Sequence, residues 1–506
     1  MVATARTVFR RTSRPVLVPP NPLALELFRI ALGGLIGLEL LQRYGDLRGH
    51  YASTGVLPFV RSFFETLAST GRIDLFLLAD SLAYHHALFA AGLLAAVAFC
   101  LGVQTRLASL VLWLVLLSVQ NRNPFLNEGA DIYVRVVLFW SLFLPLGQRL
   151  NLAGALAGRR PGAGKEPTRN SPVTPLVLYA YSIQIGLVYL CSFLVKASTA
   201  YWREGRGLEL ALQVDVVRGP GAEWLLPHAG LLSVLTWLTL AIQLAAAVVL
   251  LLPTGLLVRA RLLVLAGLVG MHVGIVGALS VGLFPFYAAA SLLPLVPTRA
   301  DWRGEVGAAA AIRPGAWTWR ARAQLAASAL ALGYVFVHLL AYYELGGRLP
   351  ARIDAGLARA GRLTGLHQHW IMFSGIEYNP IGWIVGRGSD GSSQTIFSIE
   401  KGTRQDWDLG EAPPPYPSAA AFSGYRWKKL YVKSFRRRDG GFYRALGVFL
   451  CAETARLSPE SPFDAVDFGF VHEKFADDFA HKQLVECHRA GVVCASGQVW
   501  IAEGCP

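Results

Sequence analysis

Long apolar stretches alternate with short, arginine-rich polar segments through the first 345 residues of the chain. A helix needs about 20 apolar residues to cross the hydrocarbon core of a membrane. The pattern therefore predicts an all-α polytopic membrane domain with about nine transmembrane helices. The third and eighth stretches are short, and Pro285 and Pro294 predict that the eighth is broken or re-entrant. The nine stretches cover residues 23–42, 84–103, 106–121, 131–147, 174–197, 228–253, 260–280, 281–297 and 322–344.

The pattern changes near residue 346 to a polar sequence that glycine and proline interrupt often. Short runs of alternating apolar and polar residues at 394–399 and 426–432 predict strands. Residues 442–454 predict a helix. The second domain is therefore expected to be smaller, α+β and rich in strands. The expected divisions are a basic leader (1–20), the membrane domain (21–345) and the C-terminal domain (346–506).

The composition is that of a membrane protein. Hydrophobic residues make up 54% of the chain and charged residues only 16%, which is too apolar for a soluble protein of 506 residues. The formal net charge of +14 does not indicate nucleic-acid binding, because the basic residues collect between apolar stretches and no nucleic-acid-binding motif accompanies them. The expected partner of this charge is membrane lipid, and nucleic acid is excluded.

The distribution of basic residues predicts the orientation of the chain. With the N-terminus inside, the outer loops hold about half as many basic residues as the inner segments, in agreement with the positive-inside rule. Nine crossings then place the C-terminal domain outside the cytoplasm, which is the periplasm if the protein is bacterial. The leader lacks the features of a cleavable signal peptide, so the first span is expected to be an uncleaved anchor. The amphipathic segment 56–80 fits either the outer membrane surface or a lid over the helices.

Six cysteines divide between the two predicted domains. Cys451, Cys487, Cys494 and Cys505 lie in the outer domain, where an oxidising compartment would allow two disulfides with three connectivities open. Their spacing matches no zinc motif, so no metal site is expected. Cys100 and Cys191 lie in apolar stretches and are expected to be small buried packing residues.

Lys196 is the strongest chemical candidate in the sequence. It ends the fifth apolar stretch and is one of two lysines before residue 400, the other being Lys165, in a region that otherwise uses arginine. Arginine stays protonated in proteins, whereas a desolvated lysine can act as a base. The choice of lysine therefore predicts proton-transfer chemistry at Lys196.

Few other ionisable residues fall inside the apolar stretches. Asp131 and Arg135 lie four residues apart at the outer end of the fourth stretch, level with the expected position of Lys196. They could form an i,i+4 ion pair at the interface or a polar wall of an active cavity. His272 lies near the middle of the seventh stretch, where it could be a hydrogen-bonded core residue or part of a site.

Several short motifs occur in a fixed order along the chain. Together they resemble the HTTM (horizontally transferred transmembrane) family, which is related to the vitamin K-dependent γ-carboxylase. The resemblance covers most of the chain. The motifs are Leu27–Arg29, Thr54–Pro58, Leu101–Arg106, Asn127, Gly129 and Asp131, Leu138–Gly147, Val195 and Lys196 with Trp202, Glu204 and Gly205, His272 with Ser280, Gly282 and Phe284, and Gln368, Trp370, Met372 and Phe373.

The resemblance implies a lysine that acts as a base on a reduced naphthoquinone of the vitamin K or menaquinol type. By this resemblance Lys196 and His272 are the catalytic candidates. The candidates for substrate or cofactor binding are Asp131, Arg135, Trp202, Glu204, Gln368 and Trp370. Such chemistry needs a dry pocket, because water would quench a strong base. The expectation is a quinol-using enzyme, carboxylase-like or epoxidase-like, that modifies a secreted protein or peptide.

The chain departs from the carboxylase at three positions. Ala197 stands where the carboxylase has a second lysine, Glu128 where it has a histidine, and Ile275 where it has an asparagine. Quinol chemistry is therefore predicted more firmly than carboxylation itself.

Two other classes of function are consistent with parts of the sequence. A non-catalytic maturation or immunity factor would bind a secreted client through its outer domain, and the basic, aromatic segment 425–438 offers Lys428 and Lys429 for such a client. The same segment could instead be a solvated strand or rest on anionic headgroups. A transporter is the third class, but the paired broken helices and repeated halves typical of transporters are not visible.

Overall fold

The structure, a computed structural model, describes most of both predicted domains. The described residues are 17–57, 72–156, 174–214, 216–298, 318–343, 350–374, 378–398, 419–422, 424–437, 440–475 and 482–503. Most of segment 56–80, the basic leader up to residue 16, and Cys505 lie outside them.

The described secondary structure of the first part of the chain is almost entirely helical, and each of the nine apolar stretches contains a helix. Short 3₁₀ turns at Leu75–Leu78, Pro124–Leu126 and Leu293–Leu295 connect some of them. The helices are α1 (Pro22–Gly45), α2 (Leu47–His50), α3 (Leu82–Leu101), α4 (Thr105–Arg122), α5 (Gly129–Ser141), α6 (Leu152–Leu156), α7 (Thr174–Ala197), α8 (Ala200–Arg203), α9 (Gly207–Gln213), α10 (Ala222–Leu225), α11 (Ala229–Leu251), α12 (Val258–Ala278), α13 (Phe284–Leu292), α14 (Trp319–Tyr343) and α15 (Ala351–Leu363).

Five of these helices, among the described residues, are long and apolar enough to cross a membrane: α3, α7, α11, α12 and α14. This finding supports a helical membrane protein, but it does not confirm nine crossings. Helices α5 and α13 have 13 and 9 residues, too few to span the hydrocarbon core. Helices α1 and α4 are longer but carry more polar and charged residues.

The helix ends follow from local sequence. Asn21 caps α1 by accepting hydrogen bonds from the backbone of Leu23 and Ala24, at 3.1 and 3.4 Å. Ser81 caps α3 in the same way. That helix ends at Gly102, whose φ of 73° lies in the left-handed region that favours glycine. The turn chemistry therefore sets where the long helices begin and stop.

Buried arginines hold the ends of the helices together through backbone carbonyls. Arg122 donates to the carbonyl oxygens of Tyr51 and Leu57 at 3.0 and 2.9 Å, and Arg261 donates to Ser182 Oγ at 3.0 Å and to the carbonyl of Val249 at 3.2 Å. The forked guanidinium can bind several acceptors at once, which a lysine amine cannot do in the same geometry. This explains why the chain uses arginine at these positions.

The C-terminal domain contains one antiparallel sheet with the strand order β2-β1-β3-β4-β5. The strands are β1 (Tyr378–Arg387), β2 (Ser393–Ser398), β3 (Ala465–Phe475), β4 (Lys482–Val493) and β5 (Val499–Glu503), and the helices are α16 (Tyr425–Arg437) and α17 (Gly440–Leu457). The strand predicted at 394–399 and the helix predicted at 442–454 correspond to β2 and α17. A disulfide between Cys451 and Cys494 ties α17 to the turn that follows β4.

The prediction of a strand at 426–432 was wrong, because these residues belong to α16. Their alternation of aromatic and basic residues resembles a strand, but a helix brings Trp427, Leu430 and Tyr431 to a buried face. Trp427 packs on the ring of His50 at 4.3 Å and donates to Asp46 Oδ1 at 2.8 Å. A side chain at Gly49 would collide with this indole, since a Cβ there would lie 2.8 Å from it. Helix α16 therefore docks the C-terminal domain on the helical domain.

Candidate functional site

Lys196 lies in the last turn of α7 and is buried. Its ammonium group contacts Ser192 Oγ at 2.6 Å and lies 5.4 Å from the ring centroid of Trp202. The backbone carbonyl of Ser192 is a more distant acceptor at 3.4 Å. No carboxylate forms an ion pair with Lys196 within the described part of the chain. Its amine is therefore surrounded by neutral groups.

The turn after α7 places Trp202 against Lys196. The hydroxyl of Thr199 donates to the backbone carbonyl of Lys196 at 2.8 Å. Trp202, on the short helix α8 that follows, is buried. A Cβ at Gly207 would lie 2.4 Å from the indole, so the close approach requires glycine. The indole N–H donates to the carbonyl of Phe373 at 2.7 Å.

Phe373 has a φ of 60°, an unusual backbone conformation for a residue with a side chain. Such conformations cost energy and persist where the surrounding structure holds them, often at functional sites. Here the hydrogen bond from Trp202 holds the carbonyl of Phe373, which connects the Lys196 region to the segment that follows α15.

His272 lies on α12 and contacts α7, the helix that carries Lys196. Its Nε2 lies 3.1 Å from the hydroxyl of Tyr189, and its ring lies 5.7 Å from that of Phe284. Tyr189, Ser192 and Lys196 are spaced i, i+3 and i+7 on α7, which places them on one face. The Nδ1 atom of His272 is buried and has no hydrogen-bond partner among the described residues. The structure thus places Lys196 and His272 along one helical face without a direct contact between them.

Gln368 and Trp370 form a buried polar network with the helical domain. Gln368 Oε1 accepts hydrogen bonds from Gln184 at 2.9 Å and from the indole of Trp370 at 3.1 Å. The backbone N–H of Trp370 donates to the hydroxyl of Tyr343 at 2.6 Å. These contacts fix the segment after α15 against α7 and α14. Glu204, by contrast, is exposed at the end of α8, and no contact links it to Lys196 in the described structure.

Asp131 and Arg135 do not pair with each other in the described structure. Arg135 donates to the carbonyls of Gly365 and His367 at 2.7 and 3.0 Å and to Gln120 Oε1 at 2.9 Å. Its guanidinium therefore contacts only neutral acceptors among the described residues. The i,i+4 ion pair considered from the sequence is not formed.

Asp131 belongs to a buried network of charges that joins the two domains. Its carboxylate pairs with Arg43, and Arg426 of α16 lies 3.4 Å from Asp131 Oδ2 and 3.0 Å from Glu39 Oε1. Arg43 also binds Glu39 Oε1 at 2.9 Å. Two carboxylates and two guanidinium groups thus balance one another, and tyrosine hydroxyls complete the set: Tyr51 accepts from Arg43 at 2.8 Å and Tyr287 donates to Glu39 at 2.5 Å.

The sequence reasoning missed Glu39, Arg43 and Arg426 as members of this network. A signal was present for the first two, because they lie four residues apart at the end of the first apolar stretch, where unpaired charges are costly. Nothing in the sequence connects them to Arg426, which lies 387 residues after Glu39.

A cavity of about 600 Å³ lies at the junction of the helical domain and α16. Apolar residues of three segments line part of it: Val214, Val216, Val217, Val281, Phe284 and Phe373. Cationic residues line another part: Arg72, Arg135, Arg362, Lys429 and Lys433. Lys196 and His272 do not line it. His272 contacts the lining residue Phe284, whereas Lys196 contacts Trp202, which donates a hydrogen bond to the lining residue Phe373.

The polar groups of the cavity are set by α16 and by the segment after α15. Lys429 lies 3.4 Å from Glu128, Tyr425 donates to the same carboxylate, and Lys433 donates to the carbonyl of Asn127. Burial lowers the pKa of Lys433 to about 8. Burial, together with neighbouring histidines and arginines, lowers the pKa of His367 to about 3, so its imidazole is neutral at physiological pH.

The two lysines predicted to bind a client differ in position. Lys429 lines the cavity, whereas Lys428 is half-buried on α16 and is not among the lining residues. Client binding by this segment stays a prediction.

No protein family, no characterised protein and no solved structure matches the chain.

Proposed function

We propose that this protein is a membrane enzyme in which Lys196 accepts a proton from a lipid-soluble quinol of the naphthoquinol type. The observation that carries the proposal is the neutral surroundings of a buried lysine: Ser192, Trp202 and the end of α7 contact it, and no described carboxylate pairs with it. A lysine held in an ion pair would be tied to its partner. A lysine held by a hydroxyl can exchange a proton with a substrate.

Aromatic rings beside Lys196 and His272 support an aromatic substrate with hydroxyl groups. Trp202 lies beside the Lys196 amine, Phe284 packs on His272, and the Nδ1 atom of His272 is a buried polar atom without a partner in the described structure. The quinol would supply an acidic hydroxyl and reducing equivalents, and dioxygen would be the oxidant. Lys196 Nζ would hold the proton, Ser192 Oγ would orient the amine, and Tyr189 would orient His272.

The membrane location also supports the proposal. The described residues include five helices long and apolar enough to cross a membrane, and α7, which carries Lys196, is one of them. A site at the end of such a helix can exclude water and admit a lipid-soluble substrate from the bilayer. We further propose that the N-terminus is cytoplasmic and that the C-terminal domain faces the opposite side, as the positive-inside bias predicts. A secreted protein or peptide would then be the second substrate.

The proposal is tested with purified protein, a reduced menaquinone-type lipid and oxygen, by following oxidised or epoxidised product. Wild type is expected to form product, and Lys196→Ala is expected to lose most of this activity. Lys165→Ala, which removes the other lysine of the first 400 residues, is the matched control and should retain activity. Absence of product with wild type would contradict quinol chemistry, and equal product with Lys196→Ala would remove Lys196 from the mechanism.

A further inference from the structure

The cavity at the domain junction carries more positive charge than binding of a neutral quinol would need. Its volume of about 600 Å³ lies within the range of small-molecule sites, roughly 300–1,000 Å³. Five cationic residues line it, whereas Glu128 is its one carboxylate among the described lining residues. This excess of positive charge in a partly buried space favours an anion.

Two of the cations, Arg135 and Lys433, donate to neutral acceptors in the described structure. Arg135 contacts the neutral acceptors Gly365, His367 and Gln120, and Lys433 contacts the carbonyl of Asn127. Lys429 pairs with the carboxylate of Glu128. An ammonium group has three donor hydrogens, so one acceptor each does not exhaust Lys429 and Lys433. Both lie on the same face of α16, four residues apart.

The remainder of the lining is apolar and comes from other segments. Val214, Val216 and Val217 precede α10, Val281 and Phe284 lie at the start of α13, and Phe373 follows α15. The cationic groups come mainly from α5 and α16. The lining therefore offers donors and positive charge to one part of a ligand and hydrocarbon to another.

We infer that this cavity binds an anionic amphiphile, with its oxyanion head at Lys429 and Lys433 and its apolar tail against Val214, Val216, Val217, Val281, Phe284 and Phe373. Arg135 contributes positive charge to the head while its own donors hold the segment after α15. The inference concerns binding at the junction and does not depend on proton transfer at Lys196.

The test measures binding to the purified full-length protein in an uncharged detergent by isothermal titration calorimetry. The probes are dioctanoyl phosphatidate, dioctanoyl phosphatidylcholine and inorganic phosphate. Phosphatidate is expected to bind at least tenfold more tightly than either of the others. Equal binding of phosphatidylcholine would overturn the role of the anionic head, and equal binding of inorganic phosphate would show a site for a free anion and overturn the role of the tail.

Variants locate the ligand in the cavity. Lys433→Gln is expected to weaken phosphatidate binding about tenfold, as the loss of one charge-assisted hydrogen bond would. Lys428→Gln, on the same helix but outside the lining, is the matched control and should bind as wild type does. Val216→Asn should weaken phosphatidate binding without changing the response to inorganic phosphate. Wild-type affinity in Lys433→Gln would overturn the inference.

The variant Lys196→Ala distinguishes phosphatidate binding at the cavity from the proposed quinol chemistry at Lys196. Unchanged phosphatidate binding by Lys196→Ala is expected whether or not quinol turnover is lost. If Lys196→Ala abolished phosphatidate binding while Lys433→Gln retained it, the ligand would lie at Lys196 and the inference would be wrong.

Discussion

Two regions of the molecule bury charged side chains in opposite ways. In the junction network, Arg43 and Arg426 are balanced by Glu39 and Asp131, and the groups are linked at ion-pair distance. At the end of α7, Lys196 is equally buried but contacts a hydroxyl and an indole instead. The burial is similar, and the partners differ.

The difference separates a structural role from a chemical one. A buried charge is expensive unless opposite charges and hydrogen bonds compensate it. The network meets this condition and joins α1, α5 and α16, so we interpret it as the clamp between the domains. Lys196 does not meet it, which is why proton exchange is proposed there. Four experiments can break or sharpen this contrast.

The largest effect is expected from removing Arg426. Arg426→Met leaves Glu39 and Asp131 with Arg43 as their one guanidinium in the network, so the loss of stability should be about 3–5 kcal/mol, as for other buried pairs that lose one partner. Denaturant unfolding in detergent would measure it. Arg444→Met, at an exposed position of α17, is the control and should change little.

A second substitution tests whether the network acts as a unit. Asp131→Asn combined with Arg426→Met removes one charge of each sign, so the double variant should be more stable than the sum of the two single losses predicts. Additive losses would contradict the interpretation of the network as a coupled clamp.

An intermediate effect is expected for Lys433, which lines the cavity and has a pKa that burial lowers to about 8. The unfolded chain, with an ordinary lysine pKa near 10.4, binds more protons than the folded protein above pH 8. Stability should therefore rise as the pH increases from about 8 to 10, by on the order of 2 kcal/mol. Unfolding curves of wild type and Lys433→Met compared across this range check the sign. A parallel pH dependence in the two proteins would show that Lys433 does not titrate in this window.

The smallest effect on stability is expected from Lys196→Met. Methionine has a similar length and no charge, and the replaced amine has no described counter-ion, so the free energy of unfolding should stay within about 1 kcal/mol of wild type. Denaturant unfolding measures this change alongside the loss of activity expected from Lys196→Ala. A loss as large as that of Arg426→Met would instead indicate that Lys196 has a structural partner and belongs with the network.

Local sequence patterns predicted much of the helical domain and part of the C-terminal one. The apolar stretches located the helices, because burial or lipid contact along a whole helix leaves a long signal. The number of crossings was not predictable in the same way, since α5 and α13 are apolar but short. The 426–432 segment was misassigned because its aromatic residues favour strands, and its helix is stabilised by packing of Trp427 against the helical domain.

The candidate site shows the same division. The sequence was enough to select Lys196, Trp202 and His272 as candidates. It did not predict that Phe284 and Phe373 lie between these residues and the cavity. Asp131 and Arg135 lie four residues apart but have different surroundings. Asp131 belongs to the charge network that clamps the domains, and Arg135 lines the cavity.

The sequence by itself determined where apolar helices form, that a lone lysine ends one of them, and that a separate domain follows. These features depend on interactions between residues a few positions apart or on transfer into an apolar environment. The tertiary structure alone decided which charges meet. Arg426 reaches Asp131 across 295 residues of chain, while no comparable partner in the described structure reaches Lys196. Whether a buried charge is neutralised depends on a few ångströms between distant segments, and no local pattern records that distance.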